Sequence, residues 1–126
     1  MEVLEKYFKL FDESRTSKVA RKELNNLFTR DMSFVLNGVE KNGIEEWEKF
    51  LDLIFLNNLD IKHMYEGWKF IEEEGVYETR WAVCGKRKDE VVYTQTGKDR
   101  AISDKNGKIK CLENIPDNSD LFKRYE

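Results

Sequence analysis

The chain has few of the residues from which metal sites and disulfide scaffolds are built. Its 126 residues include one proline, one histidine and two cysteines. Two cysteines are too few for the disulfide framework of a small secreted domain. One histidine, with cysteines as far apart as positions 84 and 111, matches no metal-ligand spacing. We therefore expect no metal and no cofactor, and a reduced, cytoplasmic setting is the simplest interpretation.

Long apolar runs and charge of a single sign are also missing. The longest apolar run, Leu53–Leu56, is far too short to span a membrane, and the opening residues lack the pattern of a signal peptide. The net charge is −3, and the densest basic run, Lys86–Lys88, is followed at once by two acidic residues. Neither a nucleic acid nor a membrane is therefore an expected partner. The length fits a single domain over residues 1–126.

What the sequence does contain is helical periodicity in its first half. Apolar residues recur at helical spacing over Glu2–Glu13, again after the polar segment Ser14–Ser17, and again after Asn42. Asn42 is predicted to cap this third helix, because Glu45 follows it three residues later. Between the second and third helices, Arg30–Asn37 alternates in the manner of a strand.

The second half has the pattern of strands and turns. It predicts strands over residues 61–71, 76–85, 91–103 (interrupted at Gly97) and 108–115, a hairpin turn over 104–107, and a loosely attached tail over 117–126. Segregated helices and strands predict an α+β fold with three helices packed on one face of a curved, mostly antiparallel sheet. Such a sheet can form a cone with an internal pocket, which is the natural place for function.

Three stretches carry a resemblance to a known family. They are "NNLFTRDMSF" (Asn25–Phe34), "ETRWAVCGK" (Glu78–Lys86) and "ISDKNGKIKCLENI" (Ile102–Ile115). In this order they resemble the nuclear transport factor 2-like superfamily, in its SnoaL-like branch of polyketide cyclases and ketosteroid isomerases. The resemblance implies the cystatin-like cone. It does not imply one reaction, because the family includes isomerases, cyclases, dehydratases, epoxide hydrolases and non-catalytic binding proteins.

The resemblance also implies candidate catalytic residues. In ketosteroid isomerase-like members a tyrosine and a protonated aspartate hold the substrate oxyanion, and Tyr7 and Asp99 fall close to those positions. The position of the base falls on Leu36, which cannot take a proton, and the nearest acid on that strand is Asp31. His63 is a further candidate, because dehydratase-like relatives use histidine as acid and base.

Each of these residues has a plainer interpretation. Tyr7 could be a core aromatic whose hydroxyl group finds a partner, and Asp99 could be a solvated strand residue. His63 could be a surface or partly packed histidine. The sequence alone leaves these alternatives open.

The last strand decides which side chains face the pocket. The match to the family places Leu112 and Asn114 inward, where relatives often present a histidine and an aspartate. A slip of one residue would instead present Cys111 and Glu113. The predicted pocket residues are Phe11, Phe34, Leu36, Trp81, Tyr93, Gln95, Leu112 and Asn114.

Two functions follow from this pattern. The first is a protein that binds a small, mostly apolar molecule, and that could act as an isomerase, cyclase or dehydratase on a carbonyl-bearing ligand. The second is a non-catalytic dimeric interaction or ligand-binding domain with a filled pocket. A homodimer through Val92, Thr94, Thr96 and Ile102 is expected in both cases. An open cavity above roughly 300 Å³ with converging polar groups would favour the first.

Overall fold

The computed structural model describes residues 2–118. Within that range the helices are α1 (Glu2–Glu5), α2 (Tyr7–Glu13), α3 (Lys18–Asn25) and α4 (Ile44–Asn57). The strands are β1 (Phe28–Leu36), β2 (Val39–Asn42), β3 (Asn58–Tyr65), β4 (Lys69–Ile71), β5 (Val76–Arg87), β6 (Val92–Ser103) and β7 (Ile109–Pro116).

The helices occupy the three predicted regions. The first is interrupted at Lys6, although the Leu10 N–H still donates to the Lys6 carbonyl at 3.0 Å. Ser17 caps α3, and its hydroxyl oxygen accepts a hydrogen bond from the Ala20 N–H at 3.1 Å. None of the described helices is both long enough and apolar enough to cross a membrane.

The predicted cap of the third helix is wrong. Asn42 belongs to β2 and pairs with Ser33 of β1. Because its backbone takes part in the sheet, it does not cap the helix. Gly43 precedes α4 instead, with a φ of 91° that glycine adopts without strain. The short strand β2 escaped prediction because its residues, Val-Glu-Lys-Asn, are mostly exposed and show no apolar alternation.

The sheet is mixed and open, with the strand order β2-β1-β7-β6-β5-β3, and β4 pairs with β5 at one end. Strand β1 runs parallel to β7, and every other pair is antiparallel. The sheet is curved and the helices accompany it, so the α+β fold with a mostly antiparallel sheet is confirmed.

Two strand predictions differ from the structure. The segment predicted as one strand over residues 61–71 is divided at Gly67, whose φ is 133° and whose N–H donates to the Thr79 hydroxyl. Strand β6 runs through Gly97 without the predicted interruption. Gly97 faces Trp81 on β5, and a Cβ atom there would lie 2.5 Å from the indole ring. The glycine thus makes room for an aromatic ring on the neighbouring strand.

An aromatic core joins the helices to the sheet. Trp47 of α4 is almost fully buried, and its ring contacts those of Tyr7, Phe11, Phe28, Phe34 and Phe50. These rings come from α2, α4 and β1, which are thereby held around one interior volume.

The end of the described chain is tied to the sheet. Asp117 accepts hydrogen bonds from Arg80 and from the Thr96 hydroxyl, and these bonds lower the pKa of its carboxyl to about 2. The rest of the predicted loose tail, residues 119–126, lies outside the described residues.

Candidate functional site

A cavity of about 260 Å³ lies between helices α2 and α4 and the sheet. This volume is slightly below the roughly 300 Å³ expected of an open ligand site. The cavity is nevertheless not filled, and polar side chains converge on it. All eleven residues proposed from the sequence line it: Tyr7, Phe11, Phe34, Leu36, His63, Trp81, Tyr93, Gln95, Asp99, Leu112 and Asn114. Their roles in binding or catalysis stay predictions.

His63 of β3 is paired with Asp12 of α2. The His63 backbone N–H donates to Asp12 Oδ2 at 2.7 Å, and the ring Nδ1 lies 2.6 Å from Asp12 Oδ1. Because a carboxylate can only accept, Nδ1 carries the proton in this contact and Nε2 is left as the nitrogen that can take one. The Asp12 carboxylate binds both the backbone and the ring of His63. It therefore fixes the tautomer and the orientation of the imidazole ring.

Aromatic rings surround the imidazole. The ring centroids of Phe8, Phe11 and Trp81 lie 5.3, 5.2 and 6.3 Å from that of His63. The His63 side chain is 13% exposed. His63 is therefore a packed residue at the cavity wall, which settles the question of the face it occupies on β3.

Asp99 lies on β6, buried at 1% exposure. Its Oδ1 accepts a hydrogen bond from the Trp81 indole N–H at 3.0 Å. Burial is the main influence on this carboxyl and raises its pKa to about 8, although the Trp81 bond acts in the opposite direction. At neutral pH the group is mostly protonated and can donate a hydrogen bond. It is not the solvated strand residue of the alternative interpretation.

Tyr7 of α2 reaches the same cavity. Burial, together with the nearby negative charges of Asp99 and Asp12, raises the pKa of its phenol well above the usual value. Tyr7 therefore keeps its proton and remains a donor. No group among residues 2–118 forms a hydrogen bond with the hydroxyl, unlike in the alternative of a core tyrosine whose hydroxyl group has a partner.

The last strand presents Leu112 and Asn114 to the cavity, as the family match predicts. Asn114 lies directly opposite Asp99 in the β6–β7 register. Its side-chain oxygen is buried and has no hydrogen-bond partner among residues 2–118. Leu36 lines the cavity at the expected position of the base, and Asp31 is exposed, so neither supplies a base.

The far end of the cavity is polar as well. The Tyr93 hydroxyl donates to Asn58 Oδ1 at 2.7 Å, and Asn58 Nδ2 donates to the Ile54 carbonyl at 2.7 Å. Arg87, the last residue of β5, also lines the cavity.

The sequence did not reveal four polar residues of this site, namely Asp12, Asn58, Arg87 and Asn118. Asp12 sits beside Phe11 at the edge of an apolar stripe, where an acid is usually solvated, and its partner is 51 positions away. Arg87 lies within the basic run Lys86–Lys88, where the acidic residues that follow indicate a solvated loop. A polar residue flanking the apolar stripe of α2 was the available signal for Asp12. Among the described residues, no cluster of histidine, cysteine and acidic side chains could hold a metal ion.

No protein-family model and no curated protein sequence matches the chain. Several solved structures do match. At 11% identity and a TM-score of 0.74, a Mycobacterium tuberculosis protein solved with estradiol-17β-hemisuccinate shares the fold over 90% of this chain and 89% of its own. A Jannaschia sp. CCS1 protein assigned as a SnoaL-like polyketide cyclase shares it at 13% identity and a TM-score of 0.74, over 92% and 85%.

A third structure carries more weight. It is a nuclear transport factor 2-like protein of unknown function from Exiguobacterium sp. 255-15, with 49% identity and a TM-score of 0.89. The match covers 92% of this chain and 98% of that one. At this identity and coverage the relationship extends beyond the fold, and the chain belongs to the nuclear transport factor 2-like family.

Proposed function

We propose that this protein binds a small, mostly apolar, carbonyl-bearing molecule and transfers a proton next to the carbonyl group. The proposal places the protein with the catalytic members of the SnoaL-like branch, as an isomerase, cyclase or dehydratase. The observation that carries it is the bond between His63 and Asp12 at the wall of a cavity whose single acidic lining residue among those described, Asp99, is buried with its pKa raised to about 8.

His63 acts as the base. Asp12 holds Nδ1 as a donor, so Nε2 has its lone pair directed away from that bond. Asp12 also stabilises the imidazolium that forms when Nε2 takes a proton. Strand β1 has Leu36 at the position where relatives carry the base. In this protein His63 on β3 supplies the base instead.

Asp99 and Tyr7 receive the negative charge. Both keep their protons at neutral pH because burial disfavours their ionised forms. Two donors that need not reorganise can stabilise an oxyanion inside a cavity from which bulk water is largely displaced.

Nε2 removes the proton on the carbon next to the carbonyl, the C–H electron pair becomes a C=C bond, and the carbonyl electrons move to an oxygen held by Asp99 and Tyr7. The protonated His63 then returns its proton. In a β,γ-unsaturated ketone the proton returns to the γ carbon as the C=O bond re-forms and the C=C bond moves into conjugation, which completes an isomerisation. In a β-hydroxy ketone the C=O bond re-forms as the C–O bond of the hydroxyl group breaks, and the proton leaves with that group as water, which completes a dehydration.

The cavity favours a small apolar ligand. Aliphatic and aromatic side chains make most of its wall, and its size lies near the lower end of ligand sites. The complex of the Mycobacterium tuberculosis neighbour with a steroid ester supports a ligand of apolar character.

The test needs no knowledge of the natural substrate. Thermal shift would first identify binders among steroids, aromatic polyketides and small ketones such as 2-tetralone and 4-phenyl-2-butanone. Exchange of the α-protons for deuterium in D2O would then be followed by NMR. We expect exchange well above the buffer background, and its loss in His63→Gln. Ketones that bind without exchange would favour the alternative, a non-catalytic ligand-binding domain.

We also propose a homodimer through the outer face of the sheet. Met64 of β3 and Val92 of β6 are exposed there at 65% and 64%, and Ala82 lies on β5 between these two strands, paired with Met64 and with Thr96 of β6. Val92→Lys should lower the mass measured by light scattering to that of a monomer. Leu56→Lys, at an equally exposed position on α4, is the control and should leave the mass unchanged.

A cytoplasmic location remains part of the proposal. Both cysteines are free, and Cys84 is exposed on the sheet. Free, exposed thiols fit a reducing compartment.

A further inference from the structure

The two ends of the cavity differ in their chemistry. Among the described lining residues, Asp99 is the single acid and Arg87 the single lysine or arginine. Asp99 pairs with Thr79 on β5, and Arg87 lies eight positions further along the same strand. At about 3.3 Å per residue this is at most roughly 26 Å of extended strand, and the curvature of the sheet brings the two positions closer than that. The cavity therefore follows β5 and β6 from a neutral donor to a permanent cation.

The backbone around Arg87 is held by a tight turn. The Arg87 N–H donates to the Val91 carbonyl at 2.9 Å, and the Glu90 N–H donates to the Arg87 carbonyl at 2.8 Å. This turn fixes where the arginine side chain leaves the strand, at the end of the cavity opposite to Asp99.

The present partner of Arg87 is easily exchanged. Arg87 Nε and Nη2 bond the Asp89 carboxylate at 3.3 and 3.1 Å. The Asp89 side chain is 60% exposed and that of Arg87 is 34% exposed, and ion pairs of this kind contribute little. Asp89 thus shows that the guanidinium is oriented to take a carboxylate with two parallel hydrogen bonds.

We infer that Arg87 binds an anionic group of the ligand, which is therefore an elongated keto acid. Its ketone would lie at Asp99 and Tyr7, its carboxylate at Arg87, and its hydrocarbon part along Trp81 and Val83 of β5. This inference rests on the proposed function for the position of the ketone, but the role of Arg87 in binding can be tested separately.

The probes are straight-chain acids with a methyl ketone at the far end, namely 7-oxooctanoate, 9-oxodecanoate, 11-oxododecanoate and 13-oxotetradecanoate, each paired with its methyl ester. Dissociation constants would be measured by calorimetry. We expect an optimum chain length, at which the acid binds at least tenfold more tightly than its ester. Equal affinity of acid and ester at every length would overturn the inference.

Variants make the test specific to Arg87. In Arg87→Gln the ratio of ester to acid dissociation constants should fall to about one, and Arg87→Lys should give an intermediate ratio because it keeps the charge but loses the planar fork. Asp89→Asn should raise the affinity for the acid. Lys86→Gln removes a neighbouring cation that does not line the cavity and should leave the ratio unchanged. If Lys86→Gln and Arg87→Gln lowered this ratio equally, Arg87 would act only through its positive charge at a distance. That result would refute the inference.

Deuterium exchange separates the two proposals. Arg87-dependent binding of the acids without exchange at the carbons beside the ketone would refute proton transfer and support the anion site. The opposite outcome is that acids and esters exchange equally fast, in the unmodified protein and in Arg87→Gln alike. That result would support proton transfer and refute the anion site.

Discussion

Asp12 binds His63 twice, once through the backbone N–H at 2.7 Å and once through the imidazole Nδ1 at 2.6 Å. The two residues come from α2 and β3, so the position of the candidate base depends on how α2 packs against the sheet. A ring held in this way is oriented before any ligand enters.

Replacing Asp12 tests that orientation. We expect Asp12→Asn to slow α-proton exchange strongly, and His63→Gln to remove the full contribution of a general base, about 10²- to 10⁴-fold. The measurement is the exchange rate of a bound ketone as a function of pH, because a changed pH profile separates an effect on the base from a general loss of structure. Glu13→Gln, at the adjacent exposed acid, is the control. Unchanged exchange in both cavity variants would remove the pair from the mechanism.

Removal of the Tyr7 hydroxyl should separate function from stability. The group has no hydrogen-bond partner among residues 2–118, so Tyr7→Phe should leave the free energy of unfolding unchanged or slightly higher. Loss of one oxyanion donor should nevertheless slow exchange by about 10²- to 10³-fold. Urea denaturation and NMR exchange would be compared on the same sample. A large loss of stability without a change in exchange would make Tyr7 a core residue only.

The buried carboxyl of Asp99 should make stability depend on pH. Its pKa is raised to about 8 in the folded protein, from an ordinary value of 3.8. Between these values the folded state holds a proton that the unfolded state has lost, so stability is highest below about pH 4 for this group and falls as the pH rises toward 8. At about 1.4 kcal/mol per pKa unit, the shift of about four units corresponds to a total change of roughly 6 kcal/mol.

Asp99→Asn is the matching variant, because an amide keeps an acceptor for Trp81 and cannot ionise. It should abolish this slope and unfold at higher denaturant concentration than the unmodified protein at pH 8. Asp31→Asn, at an exposed acid on β1, serves as the control. A parallel pH dependence in the unmodified protein and Asp99→Asn would show that Asp99 does not titrate in this range.

Gly97 should not tolerate a side chain. A Cβ atom at this position would lie 2.5 Å from Trp81 Cζ2 and 2.7 Å from the carbonyl oxygen of Ile115, and the latter is part of the backbone of β7. Gly97→Ala should therefore cost about 1–3 kcal/mol of stability and alter the fluorescence of Trp81. Thr94→Ala on the same strand should do neither. An unaltered unfolding midpoint in Gly97→Ala would contradict the packing described here.

Much of this site was predictable, because it lies on regular strands and helices. Once Gly107 fixes the last hairpin, alternation along β7 places Leu112 and Asn114 on the same face. The same rule links Tyr93, Gln95 and Asp99 on β6. The alternation of side chains along a strand thus predicts which residues face the cavity. Most of the lining contributed by the sheet follows from that alone.

What could not be predicted depends on contacts between distant segments. No local pattern shows that Asp12 meets His63, or that β2 completes the sheet beside β1. The interpretation of Gly97 as an interruption failed for the same reason, because the residue that requires a glycine there is Trp81 on another strand. Local sequence gives the direction of a side chain, and only the folded chain gives its neighbour.

The parallel pairing of β1 with β7 has a consequence for synthesis. Phe34 and Leu36 of β1 are aligned with Leu112 and Asn114 of β7, and no strand made earlier occupies that edge. A growing chain therefore carries β1 with one bare edge until Ile109–Pro116 has left the ribosome. Pairings of this sequence separation form slowly, and an unpaired strand edge can capture another chain. The nascent protein should thus depend on chaperones most just before its last strand emerges.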